Sequence, residues 1–325
     1  MINVLITSAS RKVSLVQAFV EAARLEGGGK VIAADADWRS AALHFAGRSY
    51  LVPKSLDARF FDAIHRICER ESVRLVIPTR DEELPAFSQV RGEFLARGIV
   101  VMVADPEVVA VCQDKLRFVS FCCDRGFHVP RTFGLTDLDT APFPLFVKER
   151  FGKGSANARR IASREGLELT LPLMGHPVIQ ECVEAQEYTV DLMADFCSRV
   201  LTAVARERLR VLGGESFVGR TSRQMTVIDE CVRLADALKL VGHNTIQCFF
   251  DGRTVKFIEV NPRFGGGANL GFAAGICTPR YLLQLVQKKP VEPRIGEFED
   301  GLVMLRYTQD VFLHSGEVGT IGPCD

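Results

Sequence analysis

The chain lacks the sequence signatures of several common protein classes. Its 40 Lys and Arg residues balance 40 Asp and Glu residues, and no basic tract stands out, which argues against a nucleic-acid partner. The longest apolar runs, such as residues 98–104, have the length of a strand and fall far short of the ~18 residues of a membrane span. The sequence does not open with a signal-peptide pattern, so we expect a cytoplasmic protein that binds no membrane.

Zinc and disulfide chemistry are also poorly supported. None of the ten cysteines belongs to a CxxC pair, and the six histidines follow no pattern. Scattered cysteines in a chain of 325 residues suit a reducing compartment, where most act as small buried hydrophobes.

The first third of the chain alternates strand-like and helix-like segments. Apolar strands ending near Ile6, Ala34 and Ile77 are separated by amphipathic helical patterns, which predicts a doubly wound parallel sheet. Ligands of such sheets bind beyond the carboxyl ends of the strands. Candidate ligand-binding side chains therefore lie in three loops, at residues 7–11, 35–37 and 78–83.

These loops do not predict a dinucleotide site, because residues 7–12 contain no GxGxxG. Their charged residues also have ordinary explanations. Arg11 and Lys12 are compatible with a plain helix start. Asp81, Glu82 and Glu83 are compatible with the acids that favour a helix first turn.

The last third contains a strong hairpin signal, Asp251-Gly252 between two apolar runs. Glu259 and Asn261 are two residues apart, so they share one face of the second strand. Gln247 joins that face only if it lies opposite Glu259, which requires an odd-length loop or a bulge at the glycine. Oxygen ligands without Cys or His suit Mg²⁺ or Mn²⁺, whereas the alternative is the polar outer face of an exposed hairpin.

The residues after the hairpin favour the metal interpretation. Arg263 can face the same phosphates as the metal ions, and the glycines at 265–267 let a substrate approach the backbone.

Two further clusters have the chemistry of nucleotide binding. Lys148 ends an apolar strand, and Gly152 and Gly154 then form a loop whose N–H groups can cover phosphates. A strand-end lysine that merely extends toward solvent is the alternative. A second apolar strand, residues 178–182, can present backbone groups to an adenine edge, while Glu187 can accept both ribose hydroxyls. The alternative is that the acids of this cluster are simply solvated.

In their order along the chain, these clusters resemble the ATP-grasp superfamily. The resemblance runs from about residue 2 to about residue 290 and is closest to one synthetase unit of the carbamoyl-phosphate synthase large subunit. It rests on Asp114-Lys115, Lys148 with its glycine loop, residues 180–183, residues 187–191, and Gln247 followed by Glu259-Val260-Asn261-Pro262-Arg263. The fold it implies is α/β, with a doubly wound parallel-sheet domain at 1–112 and a two-lobed α+β ATP-grasp domain. The small lobe would span 113–185 and the large lobe 186–325.

The resemblance also implies roles for individual residues. ATP would be bound by Lys115, Lys148, Gly152, Gly154, Ser155, Glu181, Cys182, Val183 and Glu187. Two Mg²⁺, with Mn²⁺ as a substitute, would be held by Gln247, Glu259 and Asn261. Catalysis would depend on Arg263 and Arg206, with Arg208 and Arg210 as competing candidates for the second cation. The substrate would contact Arg11, Thr79, Asp81, Glu82, Gly265 and Gly266.

The implied reaction is attack of a carboxylate on the γ-phosphate of ATP, followed by capture of the acyl phosphate by an amine or ammonia. The partners would be small molecules, and a homodimer is compatible with the family. No nucleophilic Ser, Cys or His is required, because metal ions and cationic side chains would neutralise the charge of the transferred phosphoryl group. Two alternatives remain open: a carbamoyl-phosphate synthase-type subunit that acts with partner chains, and a non-catalytic ATP-binding protein.

Overall fold

The structure is a computed structural model that describes residues 1–152, 157–316 and 321–324. Three β-sheets follow one another along the chain. The strands are β1 (Asn3–Ile6), β2 (Val31–Asp35), β3 (Arg48–Leu51), β4 (Val73–Ile77), β5 (Val100–Val101), β6 (Thr132–Phe133), β7 (Leu145–Glu149), β8 (Arg159–Ile161), β9 (Pro177–Glu181), β10 (Gln186–Ala194), β11 (Val200–Leu212), β12 (Glu215–Thr221), β13 (Gly242–Phe250), β14 (Val255–Asn261), β15 (Arg294–Ile295) and β16 (Val303–Leu305). The helices are α1 (Val13–Leu25), α2 (Phe60–Arg70), α3 (Leu84–Ala96), α4 (Pro106–Gln113), α5 (Lys115–Asp124), α6 (Arg164–Thr170), α7 (Met225–Leu238), α8 (Ala268–Ala273) and α9 (Thr278–Val286).

The first sheet is parallel, with strand order β3-β2-β1-β4-β5. Alternate residues of the central strand β1 point to opposite faces, so Val4 and Ile6 pack with α1 while Leu5 packs with α2 and α3. Helices therefore cover both faces, which confirms the predicted doubly wound sheet. The chain leaves β1 toward β2 and later returns to the other side of β1, so the loops after β1 and β4 flank the crevice where ligands of such sheets bind.

The second sheet is small and antiparallel, with order β6-β9-β7-β8. Its core contains Leu145, Val147, Ile161, Leu167 and Ile179. The sheet brings the end of β7, where Lys148 lies, beside the start of β9.

The third sheet has the order β14-β13-β10-β11-β12-β16, with β15 parallel to β11. On one face Val190, Ile246 and Cys248 pack against α7 through side chains that include Ile228 and Leu234. The opposite face carries polar residues and forms the floor of the candidate site. Together the three sheets confirm the predicted order of an α/β domain followed by an α+β region.

Helix α9 packs back onto α1 of the first domain. The carboxylate of Glu26 is buried there and accepts hydrogen bonds from Arg280 (2.6 Å), Gln284 (2.8 Å) and Lys289 (2.8 Å). These contacts lower the pKa of Glu26 to about 2, against the opposing effect of burial. The first and third sheets are thereby joined at a point remote from the candidate site. In the parts of the chain that the structure describes, no helix is long and apolar enough to cross a membrane.

Candidate active site

The hairpin β13–β14 has the predicted pairing but a different construction. Gln247 lies directly opposite Glu259, as expected. The turn that joins the strands, residues 251–254, has an even number of residues. The register instead shifts at Ile258, since Cys248 pairs with Phe257 and Gln247 with Glu259. The bulge expected at the glycine is therefore next to the site, where it turns Glu259 onto the polar face.

Side chains of the hairpin form a half-buried set of oxygen donors. The Nδ2 group of Asn261 donates to Glu259 (3.0 Å), and the Nε2 group of Gln247 donates to Glu187 (3.1 Å) on the neighbouring strand β10. Because both amide nitrogens are engaged by carboxylates, both amide oxygens stay available as ligands. One carboxylate and two amide oxygens suit Mg²⁺, so these residues fit the implied metal. In the described ranges no group of three or more His, Cys, Asp or Glu offers a competing metal centre.

Two lysines, one on β7 and one at the start of α5, lie near this set. Lys148, at the end of β7, is buried, and burial lowers its pKa to about 8 while Glu259 opposes that shift. Lys115 begins α5 and donates to the carbonyls of Arg150 (3.5 Å) and Gly152 (3.1 Å). Lys115 thus contacts the start of the predicted glycine loop. Gly154 and Ser155, predicted to belong to that loop, lie outside the described residues.

The residues expected to contact adenine and ribose already have partners within the protein. Glu181 ends β9, and its carboxylate accepts from Lys256 (2.6 Å) and from the backbone N–H of Arg131 (3.1 Å). Cys182 and Val183 follow it and are half-buried, at the junction between the second and third sheets. The Glu181 side chain is therefore engaged within the protein, and the backbone N–H groups of Glu181 and Cys182 donate to the carbonyls of Arg131 (2.9 Å) and Pro144 (3.4 Å).

Three arginines follow one another at every second position of β11, and the structure separates them. Arg206 is 3% exposed, pairs with Asp191 (2.7 Å) and packs beneath Gly267. Arg208 lies 3.3 Å from Glu187 and donates to the carbonyl of Gly214 (2.9 Å). Its Nε–H group is buried without a hydrogen bond, and its charge interacts with that of Glu259.

Arg210, further along the strand, is exposed. Arg208 is therefore the arginine of β11 that faces the oxygen ligands of the hairpin. Arg206 lies below them and is paired with the buried Asp191.

Asp191 is the centre of a buried polar network that the sequence analysis did not identify. It accepts from Arg206 and from Thr245 (3.2 Å), and His243 Nε2 lies 3.7 Å away. Arg206 and His243 keep the pKa of Asp191 below its usual value despite full burial. Polar and apolar residues alternate along β10, and this pattern places Glu187 and Asp191 on one face. That pattern could have identified Asp191 from the sequence.

The glycine turn after the hairpin lies directly on this network. A Cβ atom at Gly265 would lie 2.5 Å from Thr245 Oγ1, and one at Gly267 would lie 2.6 Å from the Arg206 guanidinium carbon. A Cβ at Gly266 would meet Arg306 and Glu215 only at 3.8–3.9 Å. The protein's own side chains therefore require glycine at 265 and 267, a reason for these residues that differs from the predicted approach of substrate.

Arg263 forms the main polar contact between the hairpin and the first domain. Its guanidinium donates two hydrogen bonds to the carboxylate of Asp81, at 2.6 and 2.7 Å. Asp81 lies in the loop after β4, and its backbone carbonyl accepts from Gln113 (2.6 Å). Asp81 was expected to contact substrate, but its carboxylate is engaged by Arg263.

The other substrate candidates of the first domain differ in exposure. Thr79 is 1% exposed and donates its hydroxyl to the carbonyls of Thr7 and Ser8, so it lies beneath the crevice and not at its surface. Glu82 is exposed and lies 3.6 Å from Arg80. Arg11 is largely exposed and lies 3.7 Å from Glu215.

Two charged residues that interact with Glu215 were not identified from the sequence. Arg306, in the segment after β16, pairs with Glu215 (2.6 Å) and donates to the carbonyl of Gly266. Lys12 begins α1, and its pKa is lowered to about 8 by burial and by Arg263, against the effect of Asp81, Glu215 and Glu83. Lys12 is the neighbour of Arg11 in the loop after a central strand. That position could have identified it as a candidate ligand-binding residue from the sequence.

Comparison with known proteins agrees with the fold. The sequence matches the PylC-like N-terminal domain family over residues 4–102 and the ATP-grasp domain family over residues 112–267. The chain therefore contains an ATP-grasp domain, preceded by a PylC-like N-terminal domain. A carbamoyl phosphate synthase large chain from Thermomicrobium roseum is 25% identical over 192 residues, which cover 53% of this chain and 18% of that protein. The chain thus spans less than a fifth of this relative.

Solved structures share the fold at low sequence identity. The biotin carboxylase domain of Hydrogenobacter thermophilus 2-oxoglutarate carboxylase, solved with MgADP and bicarbonate, matches with a TM-score of 0.74 and 13% identity, covering 93% of this chain and 73% of that one. N5-carboxyaminoimidazole synthetase from Staphylococcus aureus, complexed with ADP, matches with a TM-score of 0.73 and 15% identity, covering 92% and 80%. An L-amino acid ligase from Bacillus licheniformis matches with a TM-score of 0.70 and 20% identity, covering 92% and 78%.

Proposed function

We propose that this protein is an ATP-dependent carboxylate–amine ligase. The observation that carries the proposal is the pairing of Gln247 with Glu259 on the polar face of the third sheet, with Asn261 beside them and Lys148 and Arg208 around them. A protein that only sensed ATP would need contacts to the nucleotide, but it would not need a metal-binding donor set. The match of residues 112–267 to the ATP-grasp domain family supports the same activity.

ATP and Mg²⁺ are the proposed ligands of this face. Gln247, Glu259 and Asn261 would hold two Mg²⁺ ions, with Mn²⁺ as a substitute, and the metal neutralises phosphate charge when it is bound. Lys148 and Lys115 would contact phosphates, as would Gly152, Gly154 and Ser155 by the family resemblance. The segment Glu181, Cys182 and Val183 would contact adenine, and Glu187 the ribose. Glu187 would then exchange its contacts with Gln247 and Arg208 for ribose hydroxyls.

The proposed reaction has two steps. An oxygen of the substrate carboxylate attacks the γ-phosphorus of ATP, so a new P–O bond forms while the bond to the β-phosphate oxygen breaks and ADP leaves with its electron pair. The amine nitrogen then attacks the carbonyl carbon of the acyl phosphate, phosphate leaves, and the nitrogen loses a proton to give the amide. Arg263 and Arg208 would stabilise charge on the transferred phosphoryl group. Arg206, through Asp191 and the glycine turn, would position this end of the site.

The substrates belong in the crevice between the first domain and the glycine turn. Arg11, Glu82 and Gly266 border it, whereas Asp81 and Thr79 support its walls through Arg263 and the β1 loop. We propose small-molecule acid and amine partners, a homodimer and a cytoplasmic location. The proteins with a similar fold include one named as an L-amino acid ligase, so amino acids are the first acids and amines to try.

A release assay for ADP over a panel of acids paired with amines or ammonia tests the proposal. We expect at least one pair to release ADP and phosphate in equal amounts with an amide product, and the Glu259→Gln variant to release neither. ADP release with bicarbonate and ammonia alone would favour the second candidate, carbamoyl-phosphate-type chemistry, which the Thermomicrobium relative supports. Tight ATP binding without turnover across the panel would contradict the ligase assignment and indicate a nucleotide-binding protein.

A further inference from the structure

The loop after β1 is held in a strained shape. Ser8 and Ser10 both have φ of +49°, a left-handed conformation that is unusual for residues other than glycine. The hydroxyl of Thr79 donates to Ser8, and the Ser8 hydroxyl donates to Glu83 (3.0 Å). The backbone N–H of Ser10 donates to Asp35 (2.8 Å). Contacts from β2 and from the loop after β4 thus fix the backbone that leads to Lys12.

Lys12 lies at the carboxyl end of the central strand, next to the start of α1. The charges that act on it are those of Arg263, Asp81, Glu215 and Glu83, which come from the hairpin end, the loop after β4 and the start of β12. Its position after the central strand and the charges that act on it place Lys12 at the junction between the first domain and the ATP-grasp domain. This is the same junction where Arg263 meets Asp81.

The carboxylates of this junction are already engaged. Asp81 accepts two hydrogen bonds from Arg263, and Glu215 is paired with Arg306. Glu83 accepts hydrogen bonds from the backbone N–H groups of Thr79 (2.6 Å) and Arg80 (3.0 Å) besides that from Ser8. Within the described residues, the Lys12 ammonium makes no hydrogen bond and no ion pair within 4.0 Å.

The charges of the junction therefore leave one cation without a direct partner. Lys12, Arg11, Arg263 and Arg306 supply four positive charges, whereas Asp81, Glu215 and Glu83 supply three negative charges that already have arginine or hydrogen-bond partners. A half-buried ammonium without a counter-ion is costly, and an anion placed against it recovers that cost.

We propose that Lys12 binds the carboxylate of the acid substrate, on the side of that group opposite Arg263. This inference rests on the proposed ligase function and adds to it a specific contact from the first domain. The Lys12 ammonium would orient the carboxylate toward the γ-phosphate and would remain in contact with the acyl phosphate, which is also an anion. The substrate is thus recognised first by its carboxylate.

Lysine-specific acetylation with peptide mass analysis tests the contact without knowledge of the substrate. Because the pKa of Lys12 is about 8, we expect it to react with an acetylating N-hydroxysuccinimide ester at pH 7.5–8. Acetate or inorganic phosphate, added with MgADP, should slow acetylation of Lys12 at least about threefold, since an adjacent anion favours the protonated amine. Exposed Lys54 serves as the internal control and should react equally in all samples. Equal acetylation of Lys12 with and without both anions would overturn the proposal.

Variants test the same contact in the reaction. With any acid that releases ADP, Lys12→Met should raise the KM for that acid at least tenfold while changing the KM for ATP less than twofold. Lys12→Arg should recover part of the loss, because it restores a cation at the same position. Lys54→Met is the matched control and should behave as the unmodified protein. A Lys12→Met variant with an unchanged KM for the acid would also overturn the proposal.

The two experiments separate this proposal from the proposed function. If no acid and amine support ADP release, the ligase assignment fails, but protection of Lys12 by anions still reports on the site. If ligation occurs with no protection and no change in the KM for the acid, the ligase assignment stands and the Lys12 contact is wrong.

Discussion

Asp81 and Arg263 are 182 residues apart in sequence and form a two-bond ion pair between the first domain and the end of the hairpin. Both side chains are less than one-fifth exposed. Geometry of this kind fixes the plane of a guanidinium as well as its position. The first domain therefore contributes to the ATP-grasp site by orienting the arginine that follows the metal-binding residues.

Asp81→Asn should lower kcat by roughly ten- to a hundredfold, because a misplaced cation loses transition-state contacts. The KM for ATP should change little, since Asp81 does not border the nucleotide face. Loss of a charge-assisted pair should also lower the free energy of unfolding by about 1.5–3 kcal/mol. Asp57→Asn is a suitable control, because Asp57 forms a similar two-bond pair with Arg59 on the surface. An unchanged kcat would contradict the orienting role of Asp81.

Glu259→Gln should abolish ADP formation while leaving the fold intact. The glutamine retains an oxygen to accept from Asn261, but it removes the negative charge that binds Mg²⁺. Thermal unfolding without ligand should be unchanged, whereas the stabilisation that MgATP gives the unmodified protein should be lost. If MgATP stabilised both proteins equally, the metal assignment would fail.

Lys148→Ala should chiefly weaken the binding of ATP. Loss of a charge-assisted hydrogen bond of about 1.5–3 kcal/mol corresponds to roughly a ten- to hundredfold weaker affinity. Titration calorimetry with MgADP or a non-hydrolysable ATP analogue measures the change directly. Lys30→Ala, which removes an exposed lysine paired with Glu71, is the matched control. Equal affinities for all three proteins would exclude contact between Lys148 and the phosphates.

The sequence allowed the local arrangement of the hairpin to be predicted, because strand periodicity and a turn signal depend on neighbouring residues. The opposition of Gln247 and Glu259 is confirmed by the register of β13 and β14. The position of the bulge was wrong, because a bulge at Ile258 satisfies the same parity as a bulge at the glycine. The parallel first sheet was predictable for a similar reason, since a chain in which strands and helices alternate usually folds into a parallel sheet covered by helices.

Contacts between distant segments were not predictable in the same way. The engagement of Asp81 by Arg263 depends on how the first domain docks, and no local pattern reports that docking. The assignment of the β11 arginines was open for a related reason. Arg206 and Arg208 share a strand face, and only the buried Asp191 shows which of them is held below the site. Helices α8 and α9 were also missed, because their packing against α1 is a long-range contact.

Gly267→Ala should destabilise the protein, because its Cβ would overlap the buried Arg206 guanidinium at 2.6 Å. Displacing Arg206 would disturb its pair with Asp191, so we expect a loss of about 1–3 kcal/mol. Gly92→Ala is the opposite control. Gly92 lies within helix α3, and a Cβ atom there would meet no neighbouring element within 4 Å, so alanine should stabilise by about 0.5–1 kcal/mol. Denaturant unfolding of both variants measures the difference, and equal effects would contradict the packing argument.

Lys12→Met should make the protein more stable at neutral pH, although it removes the proposed substrate contact. The pKa of Lys12 is about 8 in the folded chain and 10.5 in the unfolded chain. At any pH where the amine is charged in both states, this difference makes folding less favourable. That cost is complete below pH 8 and corresponds to at most about 3 kcal/mol, less whatever solvent screens at this half-buried position. As pH rises from about 8 to 10.5 the folded protein releases the proton first, so the unmodified protein regains stability relative to the variant. Urea unfolding at pH 7 and pH 10 should therefore show an advantage of Lys12→Met that shrinks at the higher pH, and a constant difference would contradict the buried ammonium.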